Sequence, residues 1–252
     1  MAQKKTTQKN TVVKDIKYYQ KKFWKLFFYT LGGVFLFFLF ASWGLFGAMP
    51  SFEDLENPES NLATEIISSD GVVLGKFYNE NRTAIKYKDL PKHLVDALVS
   101  TEDERFYDHS GIDAKRTFGA ALQLGSNGGA STLTQQLAKL LFHGEGSKFR
   151  PFRIVQKAKE WIIAIRLERQ YTKNEIIALY FNQVDFVNGA VGIRSAAKVY
   201  FNKEPRNLTI EESALLVGML TNPSRFNPNR FPERALTRRN IVLGQLVRNN
   251  HL

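Results

Sequence analysis

The feature that most limits how this chain can fold is a run of about two dozen residues, Leu26 to Met49, without a charged side chain. A helix of that length can cross the ~30 Å hydrocarbon core of a bilayer. Trp24, Tyr29 and Trp43 suit the two interfaces, where amphipathic rings lie at headgroup level. A buried core helix fits less well, because a small domain rarely hides a segment that is apolar all round. We therefore predict one transmembrane helix over residues 26–49.

The residues before this run indicate its orientation. Residues 1–25 contain eight Lys and a single acidic residue, Asp15, so the positive-inside rule predicts a cytoplasmic basic tail. A cleaved signal peptide fits poorly, since its apolar core would be shorter and a small-residue cleavage site should follow. Here Met49-Pro50 and an acidic stretch follow instead. We expect a single-pass protein of the cytoplasmic membrane whose remaining residues lie outside the cytoplasm.

The charge distribution also excludes one class of partner. The net charge of +11 is concentrated in the basic tail, and the rest of the chain has no basic stripe interleaved with aromatic residues, so nucleic acid is not an expected partner. The chain has no Cys, which excludes disulfides and Cys-ligated metals.

Beyond the anchor the sequence predicts a mainly α domain with one small β element. Residues 50–90 form a linker and a β-hairpin, with strands at 64–67 and 72–77 around an Asp70-Gly71 turn. Residues 91–252 form the main domain. Capping-box spacings occur at Thr172/Glu175 and at Thr209/Glu212. Helices are predicted over 91–105, 112–124, 131–142, 153–170, 173–182, 190–200, 210–220 and 232–249.

A carboxylate stands out in the helix after Pro91. Leu94, Leu98, Glu102 and Phe106 follow at four-residue steps and share one face, which is apolar except for Glu102. A carboxylate there is costly unless it is paired or hydrogen-bonded. Glu102 is therefore a candidate general base, or a structural carboxylate paired with a residue such as His109 or an Arg.

The segment around Glu102 resembles the first signature of the family-51 glycosyltransferases, E-D-x-x-F-x-x-H-x-G. These are the polymerase domains of class A penicillin-binding proteins and of monofunctional peptidoglycan glycosyltransferases. The resemblance implies that Glu102 is the catalytic base. It places Asp103, Phe106 and His109 in the substrate-binding signature, where such residues mainly hold the site together.

Residues 128–139 combine a Gly-rich loop with the start of a helix, where free backbone N–H groups suit a phosphate. A Ser or Thr at such a place is more commonly a simple N-cap. The string resembles the family's second signature, G-G-S-T-x-T-Q-Q, although Leu140 stands where the family commonly has Asn. The resemblance implies contacts to substrate sugars and pyrophosphate by Thr132, Gln136 and Lys139, within a substrate-binding set of Ser131, Thr132, Gln135, Gln136 and Lys139.

A third string lies in the helix predicted over 153–170. Lys157, Glu160, Ala164 and Glu168 share one face, which on its own is typical of a solvated charged surface. K-x-x-E followed by A-x-x-L-E resembles the third signature of the family. This resemblance makes Glu160 the second essential, catalytic carboxylate and Lys157 a phosphate-binding residue.

One departure in the third string affects the expected cations. The family usually has Arg before the Lys, whereas this chain has Gln156. We expect Arg153, one helical turn earlier, or Arg150 to supply the missing cation.

Two later strings resemble the fourth and fifth signatures. The fourth includes Tyr180-Phe181-Asn182, and two glycines that the family places after aromatic residues are replaced by Val187 and Asn202. The fifth includes Glu211, Ala214 and the Asn227-Pro228 turn. Together the five strings span residues 101–228.

The resemblance implies a lysozyme-like α fold and a reaction. The expected enzyme polymerises lipid II into glycan strands at the outer face of the membrane, with inversion and release of undecaprenyl pyrophosphate. The implied partners are lipid II, the nascent strand, the membrane and other cell-wall synthesis proteins. Glu160 is a candidate ligand for Mg²⁺ or Mn²⁺, and no organic cofactor is expected.

Two rival functions stay open. One is a lysozyme-like enzyme that cleaves glycan, and the other is a non-catalytic scaffold in the cell-wall machinery. The chain ends inside an amphipathic pattern without transpeptidase strings, and we expect a longer natural protein rather than a monofunctional polymerase.

Overall fold

The computed structural model describes residues 16–47, 64–67, 73–77, 84–122, 131–142 and 150–252. The chain divides into two compact units, Met1–Met49 and Pro50–Leu252. Within the described residues, nine α-helices and one two-stranded sheet account for most of the structure, so the prediction of a mainly α fold is confirmed.

The first unit contains one long helix, α1, Ile16–Ser42. Its 27 residues give a length of about 40 Å, and none of its most apolar window is buried. Among the described residues, it is the one helix long and apolar enough to cross a membrane.

The bounds of α1 differ from the predicted span of 26–49. The helix starts earlier, because the Lys-rich segment before Leu26 contains neither Gly nor Pro to interrupt it. It ends earlier because Gly44 adopts the left-handed region at φ 77°. The Gly44 N–H donates to Ala41 O at 3.1 Å and the Leu45 N–H donates to Phe40 O at 3.1 Å. This pair of bonds is a Schellman motif, which terminates the helix at Ser42.

The second unit begins with the predicted hairpin. Strands β1, Thr64–Ile67, and β2, Val73–Phe77, pair antiparallel, with Thr64 opposite Phe77 and an irregularity after Ile66. The Asp70-Gly71 turn lies outside the described residues.

Eight helices follow the hairpin, and short 3₁₀ turns occur at 87–89, 106–108 and 205–207. Both predicted capping boxes are confirmed: Thr172 caps α6 with Glu175, and Thr209 caps α8 with Glu212. The helices are α2 Lys92–Glu102, α3 Ala114–Leu122, α4 Leu133–Phe142, α5 Arg150–Gln170, α6 Lys173–Gln183, α7 Ile193–Phe201, α8 Ile210–Leu220 and α9 Pro232–Arg248.

Two groups of helices position the site. Helix α9 packs against α8 and α2, while α4 packs against α5 and α6. A close backbone contact joins the segment after α2 to α5. Gly111 has φ 84°, and a Cβ there would lie 2.9 Å from the backbone carbon and oxygen of Ala164. The first signature therefore needs Gly at this position for both conformation and space.

At the two positions where the family has glycine, the backbone of this chain still adopts a conformation that favours glycine. Val187 and Asn202 adopt φ 58° and 54°, the left-handed region that favours Gly. Asn202 caps α7 and tolerates this conformation well. Val187 is β-branched and is strained there. These positions keep a backbone suited to Gly although their side chains differ.

Candidate active site

Glu102 is the last residue of α2, and its carboxylate meets the side chain of Gln136 in α4. Gln136 Nε2 donates to Glu102 Oε2 at 3.0 Å. His109 contacts Asp103 rather than Glu102, and Arg116 donates to the backbone oxygen of Glu102.

The contact to Glu102 continues to a third helix. Tyr180 in α6 donates its hydroxyl to Gln136 Oε1 at 3.1 Å, and its side chain is almost fully buried. Burial, together with the negative charge of Glu102, raises the pKa of Tyr180 well above its ordinary value. The Tyr180 hydroxyl therefore stays protonated and able to donate. Residue spacing gave no indication of this role, because α2, α4 and α6 are far apart in sequence.

The other members of the first signature lie beneath the site. Asp103 is 1% exposed and accepts from Leu133 N at 2.9 Å and from His109 Nε2 at 3.1 Å. The Leu133 N–H is one of the unpaired donors at the start of α4, where a carboxylate is favourable. Phe106 is fully buried, with the ammonium of Lys173 4.3 Å from its ring centre. Asp103, Phe106 and His109 thus support the site and offer little or no side-chain surface to a substrate.

Thr132 and Gln135 are likewise placed as supports. Thr132 is fully buried, donates its hydroxyl to Gly111 O at 2.7 Å and accepts from Gln135 N at 3.2 Å, as an N-cap does. Gln135 Nε2 donates to the same carbonyl at 3.2 Å. The Thr132 hydroxyl fastens α4 to Gly111, and its contact with a substrate stays a prediction.

A second polar cluster lies beside the start of α4. Lys157 Nζ donates to Ser131 Oγ at 2.6 Å and to Glu160 Oε2 at 2.7 Å. The Glu160 side chain is only 11% exposed, against 38% for Lys157. The alternative of a solvated charged face is therefore wrong for Glu160. The buried Glu160 carboxylate holds the Lys157 ammonium in place, while part of the Lys157 side chain stays accessible to solvent.

This cluster borders a cavity of about 460 Å³ with a cationic lining. Three cations line it against one carboxylate, that of Glu160. Such a set suits an anionic group with several oxygens, such as a pyrophosphate. The side chain of Arg150 lies outside the described residues, whereas Arg153 is present in the lining, which consists of Ser131, Lys139, Arg153, Ile154, Gln156, Lys157 and Glu160.

A separate cavity of about 350 Å³ includes Glu102 and residues that sequence reasoning missed. Arg116 lies in its wall and donates to Glu102 O at 3.1 Å. Asp113 caps α3 and contacts Arg105. Burial alone would raise the pKa of Asp113, but the Arg116 N–H bond and the charge of Arg105 outweigh burial and lower it below 3.8. The signal for Asp113 was an ordinary N-cap pattern before Ala114.

The surroundings of Glu160 fit a divalent metal poorly. Its Oε2 already accepts from the Lys157 ammonium at 2.7 Å, which occupies the position that a cation would take. Within the part of the chain that the structure describes, no group of three or more His, Asp and Glu side chains could hold a metal ion. The expectation of Mg²⁺ or Mn²⁺ at Glu160 stays a prediction.

Comparison with known proteins identifies relatives of this chain. A family model described as Transglycosylase matches residues 70–247. The chain is 37% identical over 220 residues to penicillin-binding protein 1A of Pseudomonas aeruginosa, covering 86% of this chain and 26% of that protein. It is 38% identical over 188 residues to penicillin-binding protein 1F of Bacillus subtilis, covering 73% and 26%.

The chain spans about a quarter of the length of these relatives. Among solved structures, it is similar to penicillin-binding protein 1A of Haemophilus influenzae, with 22% identity and a TM-score of 0.42. That match covers 77% of this chain and 19% of the other.

Proposed function

Since the chain belongs to the transglycosylase family, the peptidoglycan glycosyltransferases of family 51, we propose that it polymerises lipid II into glycan strands. The observation that carries this proposal is the pair of groups gathered at the start of α4. Gln136 holds the carboxylate of Glu102, and Ser131 binds the ammonium of Lys157. A base and an anion-binding cavity are the two parts that transfer from a sugar pyrophosphate requires.

Glu102 is the proposed general base. Its carboxylate accepts the proton of the acceptor sugar's 4-hydroxyl as that oxygen attacks the anomeric carbon of the growing strand. The bond from this carbon to the pyrophosphate breaks as the new glycosidic bond forms, so the configuration inverts. Undecaprenyl pyrophosphate leaves with the electron pair.

The cationic cavity supports the departure of the pyrophosphate. Lys139, Arg153 and Lys157 line it, and cations held at fixed positions stabilise negative charge as it develops on a leaving group. Pyrophosphate is a better leaving group than an alcohol, so the protonated second carboxylic acid of glycosidases is not obligatory. Glu160 then acts by holding Lys157.

A lipid-linked substrate is consistent with helix α1. We propose that α1 crosses the cytoplasmic membrane, with the Lys-rich tail inside and the second unit at the outer face. Reaction at the bilayer surface would then keep the undecaprenyl chains of donor and acceptor in lipid.

The decisive test compares Glu102→Gln with Glu233→Gln, an exposed carboxylate at the start of α9. Loss of a general base typically costs about 10²- to 10⁴-fold in rate. We expect that loss of lipid II polymerisation for Glu102→Gln, near wild-type rates for Glu233→Gln, and unchanged circular dichroism for both. In the same assay, Arg153→Ala raises the KM for lipid II; an unchanged KM contradicts its role in the cavity.

The rival functions give different results in that experiment. A glycan-cleaving enzyme would shorten purified glycan strands and leave lipid II unpolymerised. If the protein is a scaffold, the wild type would neither shorten glycan strands nor polymerise lipid II. Full polymerisation by Glu102→Gln contradicts the base proposed here.

A further inference from the structure

Three side chains from three helices form one hydrogen-bonded row that ends at the proposed base. The Tyr180 hydroxyl contacts Gln136 Oε1 at 3.1 Å, and Gln136 Nε2 contacts Glu102 Oε2 at 3.0 Å. The row therefore fixes one carboxylate oxygen of Glu102, Oε2.

The chemistry of the three groups sets the direction of the row. An ionised carboxylate only accepts hydrogen bonds, so Gln136 must present its NH₂ group to Glu102. Its carbonyl then faces Tyr180, whose O–H donates. A flipped amide would place its carbonyl against the carboxylate and leave the buried Tyr180 O–H without an acceptor, and both changes are unfavourable.

The Tyr180 hydroxyl keeps its proton at every pH at which such an enzyme works. Its pKa is raised by burial and by the charge of Glu102. Tyr180 is therefore a permanent donor rather than a group that exchanges protons with the substrate.

We propose that Tyr180 is a positioning residue for the reaction, acting through Gln136. Its hydroxyl holds the Gln136 amide in the one orientation that donates to Glu102, and this keeps the carboxylate aimed and ionised. This inference rests on the proposed role of Glu102 as general base. Tyr180 itself does not contact the substrate.

Removing the hydroxyl should have a specific signature. In Tyr180→Phe, the Gln136 amide can flip, and Glu102 then loses a hydrogen bond that favours its charged form. We expect kcat to fall by roughly 10- to 140-fold, as for the loss of one hydrogen bond to a charged group. The carboxylate then takes up a proton more readily, so the acid limb of the pH–rate profile moves to higher pH. The KM for lipid II should change little.

Tyr200→Phe is the matched control. Its hydroxyl donates to Phe186 O at 2.7 Å and accepts from Asn188 Nδ2 at 3.2 Å, so this variant also loses the hydrogen bonds of a tyrosine hydroxyl, away from Glu102. We expect its acid limb to coincide with that of the wild type. An unmoved acid limb in Tyr180→Phe overturns the proposal.

Gln136→Met tests the middle of the row and does not depend on Tyr180→Phe folding. It keeps the length of the side chain but removes both hydrogen bonds, so it should move the acid limb in the same direction. In its presence, adding Tyr180→Phe should lower kcat no further, because both changes break one linkage. A wild-type acid limb in Gln136→Met, or losses that multiply in the double variant, would overturn the proposal.

The outcomes also separate this inference from the proposed function. If Glu102→Gln polymerises lipid II at the wild-type rate, the base assignment fails, and the role of Tyr180 fails with it. If Glu102→Gln is inactive while Tyr180→Phe matches Tyr200→Phe, only the positioning role fails.

Discussion

Replacing Gly111 by Ala should destabilise the second unit strongly, and the size of the effect follows from its backbone contact. The left-handed conformation at φ 84° costs a residue with a Cβ about 1–2 kcal/mol. The added Cβ would also lie 2.9 Å from two backbone atoms of Ala164, where ordinary contact is 3.4–4 Å. Neither atom belongs to a flexible side chain, so the helix or the loop must move, at about 1–3 kcal/mol.

The unfolded chain offsets part of this cost. Ala has less backbone freedom to lose than Gly, which returns about 0.5–1 kcal/mol. The net destabilisation is then about 1–4.5 kcal/mol, a sizeable part of the roughly 5–15 kcal/mol that holds an ordinary domain together. At about 2–4 °C per kcal/mol for a domain of this size, the melting temperature should fall by roughly 2–18 °C.

The assay is thermal unfolding of the detergent-solubilised chain, followed by far-UV circular dichroism at one scan rate. Gly244→Ala is the matched control, because Gly244 is an exposed residue inside α9 with nothing within 4 Å of its added Cβ. That variant should gain about 0.5–1 kcal/mol. Equal melting temperatures for Gly111→Ala and the wild type would refute the steric reasoning. Activity should fall as well, since the Gly111 carbonyl fastens the start of α4 through Thr132 and Gln135.

Two further predictions concern stability. Asp113→Asn should destabilise the chain at neutral pH, because folding lowers the pKa of Asp113 below its ordinary value of 3.8. The ionised carboxylate therefore contributes to the free energy of unfolding above pH 3.8, and this contribution is lost as the pH falls further. The gap in denaturant midpoint between wild type and Asp113→Asn should therefore narrow below about pH 4, and a gap constant with pH would contradict this. Val187→Gly should stabilise the chain by about 0.5–1 kcal/mol, because relief of a strained φ of 58° exceeds the entropy cost of Gly. A lower melting temperature in Val187→Gly would show that the side chain's packing outweighs the strain.

Local features of this fold could be predicted from the sequence because neighbouring residues decide them. The capping boxes at Thr172 and Thr209 depend on side chains three positions apart, and both helices start as predicted. The predicted bounds of α8 match the structure for the same reason. The membrane-length helix was evident from composition, whereas its end depended on the conformation of Gly44.

The site could be predicted only in part. Resemblance to a family identified Glu102, Lys157 and Glu160, and the structure places them around the start of α4. It could not show that Thr132 is a buried N-cap, because a Thr at the start of a helix has the same sequence pattern whether it caps the helix or binds a substrate. The partner of Glu102 could not be predicted either, since 34 residues separate it from Gln136 and only the tertiary fold brings the two side chains together.

Helix α4 fixes the distance between Gln136, which contacts the proposed base, and Lys139, which lines the cationic cavity. Gln136 and Lys139 stand three residues apart on it, so a rise of about 4.5 Å along the axis, slightly less than one turn, sets their separation. Inserting a single residue between them would rotate one of them by about 100° around the axis. Such an insertion would therefore separate the side chain that contacts Glu102 from one of the cations of the cavity.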